Sequence, residues 1–214
     1  MAKLVGVLLL CLFLPAWSLR YWQAWVFLAL FAGSAAATTW YLQRHDIELL
    51  RRRLAAGPHA EKERRQQVIQ LLASEAFIGM FVVPGFDHRF GWSTVPLPLV
   101  VIGDLLVILG FWIVFLTFRE NSYTSAIIET AEGQPVISTG PYAIVRHPMY
   151  AGAIRMRMGT PLALASLWAL VCFAIMVAAI VWRLLDEERL LSRDLPGYAA
   201  YRSSVMYRLV PFIW

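Results

Sequence analysis

The sequence predicts an all-α, polytopic membrane bundle of about six transmembrane helices, with a C-terminal helix and loops on the cytoplasmic side. Three observations carry this. Of the 214 residues, 59% are hydrophobic and only 15% are charged, where a soluble domain carries about 25% charged residues. The apolar residues collect in runs that approach the roughly 20 residues a bilayer core requires of a helix. The Lys and Arg residues gather between alternate runs, as they do in membrane proteins. No linker, low-complexity tract or internal repeat divides the chain, so 1–214 reads as a single domain.

The spans fall near 3–17, 21–42, 67–83, 98–118, 148–164 and 166–183. The first is short and also reads as a signal peptide, with Ala16-x-Ser18 as a weak cleavage site. The fourth is strongly apolar despite Asp104. From Gly159 to Trp182 there is no charge, and Pro161 breaks the stretch, which predicts a helical hairpin turning near Ala165–Ser166. Of the 19 Lys and Arg, only Arg20 and Arg89 fall in the loops of one side, while Arg155 and Arg157 fall within the fifth span. The positive-inside rule places both termini and the loops 43–66 and 119–147 in the cytoplasm, with a bacterial inner membrane as the expected location.

The net charge of +5 does not point to nucleic acid. The basic cluster Arg51, Arg52, Arg53, Lys62, Arg64 and Arg65 reads as a solvated loop or surface helix beside anionic headgroups. Cys11 and Cys172 lie in apolar runs without C-x-x-C spacing, so no disulfide framework or zinc site is indicated. The 13 glycines never occur two apart, which removes the G-x-G fingerprint of nucleotide folds. His45, His59, His88 and His147 are scattered and give a metal site little support.

Polar chemistry remains in two stretches, 134–152 and 182–214. Gly140-Pro141 is turn chemistry. Pro148 suits the first turn of a helix, where a missing N–H costs nothing, so Arg146 and His147 stand at that helix's mouth, where an anion is favoured. Arg183 and Glu187 are four apart and share a helix face, and Arg183 emerges where the last span reaches the headgroups. The plainer readings are a basic membrane anchor for Arg146 and His147, an ordinary i,i+4 pair for Arg183 and Glu187, and interfacial aromatics for Tyr198, Tyr201, Tyr207 and Trp214.

The two stretches resemble the isoprenylcysteine carboxyl methyltransferase family. The pattern G-x-Y-x-x-x-R-H-P-x-Y-x-G is met by Gly140, Tyr142, Arg146, His147, Pro148, Tyr150 and Gly152. A Glu-Glu pair follows as Glu187 and Glu188, then Gly197, Tyr198, Tyr201 and Pro211-Phe212-Ile213. The resemblance covers roughly 134–214 and implies S-adenosylmethionine as cofactor, bound on the cytosolic side by the part of the chain at 119–214. It implies cofactor contacts from Gln134, Pro135, Val136, Ile137, Tyr142, His147, Pro148, Met149, Tyr150 and Glu187, with Glu188 beside them. It implies catalytic roles for Arg183 and Arg146, a substrate carboxylate on Arg183, and a lipid-side contact near Ile154. The partner is then a lipophilic or lipidated acceptor from the bilayer.

The chain departs from the family where Arg155 and Arg157 stand, since relatives carry apolar residues there. A mid-helix charge costs about 2.5–3.5 kcal/mol on insertion scales. Two residues apart, the two side chains point to nearly opposite sides. Either one lines a cavity while the other snorkels, or both reach the interface from a shallow position. Glu75 and Asp104 raise the same question. A carboxylate acceptor, with a reference pKa near about 3.5–4, is ionised and needs no general base. An amine, phenol or thiol needs one, for which Glu188, His147 or a tyrosine is available. Two other readings stand beside this one: a membrane reductase using NADPH on a sterol-like or isoprenoid lipid, and a non-catalytic membrane protein.

Overall fold

A computed structural model describes residues 2–54, 64–124 and 134–214. Regular structure among the described residues is helical: α1 (Ala2–Ala16), α2 (Trp22–His45), α3 (Ile47–Leu54), α4 (Arg64–Phe90), α5 (Leu97–Glu120), a 3-10 turn (Gly140–Ala143), α6 (Pro148–Ala163), α7 (Ala169–Asp194) and α8 (Tyr198–Ser204). Four of these, α2, α4, α5 and α7, are long and apolar enough to cross a membrane, and α1 is a shorter apolar helix. At 16 residues, α6 is about 24 Å long, less than the hydrocarbon thickness of about 30 Å. Six hydrophobic helices thus occupy the positions of the six expected spans, two of them shorter than a full crossing.

The main pairings are α5 with α6, α4 with α7, and α1 with α4. Glycines set the first of these. A Cβ on Gly110 would lie 2.6 Å from the Gly152 carbonyl oxygen, and one on Gly103 would lie 2.7 Å from that of Gly159. Both helices carry glycine at seven-residue spacing on the facing side, in antiparallel register. Backbones approach closely, which is how helices associate where lipid supplies no hydrophobic drive between them. Gly110→Leu is therefore expected to destabilise the fold by about 1–3 kcal/mol through overpacking, read as a lower melting temperature in detergent. Gly33→Ala, whose added carbon meets nothing within 4 Å, is the control.

The α4 helix outruns its expected span 67–83. Pro84 is buried inside it rather than ending it, a tolerance that membrane helices gain from their neighbours. At the following residue, a Cβ on Gly85 would lie 2.6 Å from the Leu12 carbonyl oxygen of α1. The buried Asp87 then closes this end of the bundle. Its carboxylate accepts from Ser93 N–H and Ser93 Oγ, both at 2.7 Å, and from Ser166 Oγ at 2.5 Å. The α6–α7 hairpin turns where expected, with Ala165 at φ 51 and Ser166 N–H donating to the Pro161 carbonyl at 2.8 Å. The opposite end, where α5 and α7 finish and α4 and α6 begin, collects the polar residues.

Candidate active site

The polar end is built outward from Gly140. Its φ of +56 suits glycine, and a Cβ there would fall 2.8 Å from Glu120 Oε2. Thr139 Oγ1 donates to the same carboxylate. The turn thereby docks on the end of α5 and starts the 3-10 turn that carries Tyr142. The Tyr142 hydroxyl accepts from Asn121 Nδ2 at 3.0 Å, and Tyr201 donates to the Tyr142 carbonyl at 2.8 Å. Burial pushes the Tyr142 phenol up from its ordinary pKa.

Arg146 and Glu188 form a buried knot, each about 5% exposed. Arg146 Nε donates to Glu188 Oε1 at 2.7 Å, and Nη1 donates to the carbonyls of Val205 and Met206, both at 2.8 Å. Arg208 Nε donates to Glu188 Oε2 at 2.8 Å. The backbone joins in: Arg146 N–H donates to Tyr207 O and His147 N–H to Arg208 O. His147 Nε2 lies 3.4 Å from Glu188 Oε1 without hydrogen-bond alignment. His147 caps α6, and Pro148 opens it as expected.

Beside this knot lies a cavity of about 390 Å³. Its walls include Gln134, Pro135, Val136, Ile137, Tyr142, Arg146, His147, Pro148, Met149, Tyr150, Arg183 and Glu187. The structure thus brings together all but two of the expected site residues. Glu188 turns away from the cavity into the arginine knot, because a buried carboxylate is stabilised by paired cations. Ile154 packs instead among Val145, Leu184 and Leu209. Arg146 borders the cavity, but its Nε and Nη1 serve Glu188 and the C-terminal carbonyls, which is the work of a clamp.

Arg183 and Glu187 share a face of α7 as expected. The buried Arg183 donates through Nη1 to Gln66 Oε1 at 3.2 Å, and Gln66 in turn donates to Asp186 Oδ2 at 2.8 Å. This ties the first turn of α4 to α7. Glu187 Oε2 accepts from the Tyr150 hydroxyl at 2.6 Å.

Sequence reasoning placed Arg53 on a solvated surface, and the structure places it in the cavity wall. Its Nη1 lies 3.4 Å from Met149 Sδ, and its guanidinium stands 5.2 Å from the Phe118 ring centre. Burial lowers its pKa from the ordinary arginine value. The signal was available: Leu49 and Leu50 are buried on α3, and Arg53 stands four and three residues on, hence on the same face. Arg51 and Arg52 do lie at the surface, pairing with Glu48 and with the Ser122 carbonyl. Lys62 lies outside the described residues. Asn121, Leu190, Leu191, Leu195, Tyr198 and Tyr201 also line the cavity. Among the described residues, no group of three or more His, Cys, Asp or Glu converges.

Among the described residues, a bundle of apolar helices with a charged cavity at one end defines a helical membrane protein. Residues 99–195 match the phospholipid methyltransferase family, membrane-integral methyltransferases related to the isoprenylcysteine carboxyl methyltransferases. The match runs from the start of α5 to the end of α7, and so includes the 3-10 turn, the α6 entrance, Arg183 and Glu187. This stretch is thus similar to a membrane methyltransferase domain. A comparison of the chain with curated proteins finds no match.

Proposed function

We propose that this protein transfers the methyl group of S-adenosylmethionine to a lipophilic carboxylate of the prenylcysteine kind, at the cytoplasmic face of a bacterial inner membrane. The observation that carries the reading is Arg183, a buried guanidinium in a cavity wall one helical turn from Glu187. The cavity volume lies within the roughly 300–1,000 Å³ of small-molecule sites. Its lining suits the cofactor: one carboxylate for a cationic or hydroxylated group, phenols for a sulfonium, and Leu190, Leu191 and Leu195 for an apolar ring face. Residues Gln134–Ile137, Tyr142, His147–Tyr150 and Glu187 would hold it. When bound, S-adenosylmethionine supplies an electrophilic methyl group.

The protein's own residues then position and dry the acceptor. Alignment of this kind contributes roughly 7–11 kcal/mol in favourable cases. Arg183 holds one carboxylate oxygen and leaves the other exposed to the methyl group. Of the candidate bases an amine acceptor needs, Glu188 is engaged by two arginines away from the cavity, whereas His147 and the tyrosines stay in the cavity wall. A carboxylate acceptor needs no base at all, which is what the occupied Glu188 favours.

The first test is calorimetric titration of the purified protein in detergent with S-adenosylmethionine and with NADPH. Saturable binding of the sulfonium alone is expected, and binding of NADPH alone overturns the reading in favour of the reductase. Transfer of labelled methyl to a membrane extract then separates acceptors. Label released as methanol by alkali marks an ester, whereas alkali-stable label in lipid removes the carboxylate. Glu187→Ala is expected to weaken cofactor binding about tenfold, roughly 1.4 kcal/mol. Unchanged affinity takes Glu187 out of the site.

A further inference from the structure

Arg157 projects from α6 into the same cavity, nine residues beyond Pro148, and so about 13 Å below the helix mouth. Gln70, Met156 and Met176 line the same cavity. Its guanidinium lies 4.6 Å from the ring centre of Phe77 on α4. Its Nη1 is buried and has no hydrogen-bond partner. No described carboxylate answers it: Glu75 is exposed and Asp104 stands outside the cavity. Arg155, two residues before, takes the other course, donating to its own helix at Ala151 O (3.0 Å) beside a separate apolar groove. A guanidinium at membrane depth is costly unless an anion or hydrogen-bond acceptor meets it, and a ring face offsets only part of that cost.

Arg157 therefore has a charge to satisfy, and the cavity is where a ligand reaches it. Arg183 lines the same cavity from α7. We propose that Arg157 is a specificity-determining residue of the acceptor subsite, binding a second oxyanion, carboxylate or phosphate, on an amphiphile whose reacting carboxylate meets Arg183. This rests on the acceptor reading of Arg183 given above. The acceptor class is then a bipolar acidic amphiphile, with one acidic group on Arg183 and the other on Arg157.

The test is calorimetric titration of the full-length protein in detergent with decanedioate, with decanoate, and with a ten-carbon carboxylate bearing a terminal phosphonate. Wild type is expected to bind the doubly acidic probes about tenfold more tightly than decanoate. The better of the two identifies a carboxylate or a phosphate-like partner. Arg157→Met is expected to fold at least as well as wild type, since an unpaired buried charge is removed. It should bring the ratio close to one while leaving decanoate affinity unchanged, and Arg157→Lys should restore part of the preference. Equal affinity of all three probes for wild type, or an undiminished ratio in Arg157→Met, overturns the proposal. S-adenosylhomocysteine is titrated in parallel. Its failure to bind removes the methyltransferase reading, whereas its binding with no diacid preference removes only the role of Arg157.

Discussion

Arg183→Ala is expected to lower methyl transfer about 10²–10³-fold, the usual cost of removing one donor aimed at a reacting oxygen. Cofactor affinity should stay within about twofold, because Glu187, Tyr150 and the 134–137 segment remain in place. The loss should appear in kcat as well as in KM, because the guanidinium both captures the carboxylate and fixes which oxygen meets the methyl group. Arg183→Lys keeps a charge but loses the planar fork and the donation to Gln66, so it should recover only part of the rate. Turnover by product analysis and cofactor binding by calorimetry check the two halves separately. A variant that folds but no longer binds cofactor would contradict the acceptor role and move Arg183 into the cofactor pocket.

The helices, their order and the hairpin turn were legible because they rest on local signals: hydropathy length, Pro148 at a first turn, and a long charge-free run. Pro161, expected to break that run, instead lies inside α6, which ends at Ala163. The i,i+4 relation of Arg183 and Glu187 also needs only one helix. What was not legible depends on a second element. Gly103 and Gly110 look like scattered glycines until Gly159 and Gly152 face them across the α5–α6 contact. Arg53 resembles its neighbours in a basic run until α3 packs with Leu49 and Leu50 inward. The alternatives for Arg155 and Arg157 are separated by what each meets among the described residues: Phe77 of α4 stands under Arg157, and Arg155 donates to its own helix at Ala151. Glu187 and Glu188 are adjacent in sequence and opposite in use, since the C-terminal segment that brings Arg208 to Glu188 returns from twenty residues away.

That returning segment makes Arg146 the second site of large effect. Arg146→Ala is expected to destabilise the protein by about 1–3 kcal/mol, the cost of leaving buried acceptors short of a donor. The variant leaves Glu188 with Arg208 and the less well aligned His147, and removes the donor that pins Val205 and Met206. The loosened segment also carries the two backbone bonds that hold residues 146 and 147 at the cavity mouth. Cofactor affinity should therefore fall together with the melting temperature in detergent. Exchanging both partners, Arg146→Met with Glu188→Met, removes both members of the main pair and should recover part of the stability lost in Arg146→Ala, with Arg208 left at the more open edge. Non-additivity of this kind marks a clamp. A catalytic arginine behaves differently: loss of kcat at unchanged melting temperature and unchanged cofactor affinity would return Arg146 to the reacting atoms and give the clamp to the backbone pairing alone.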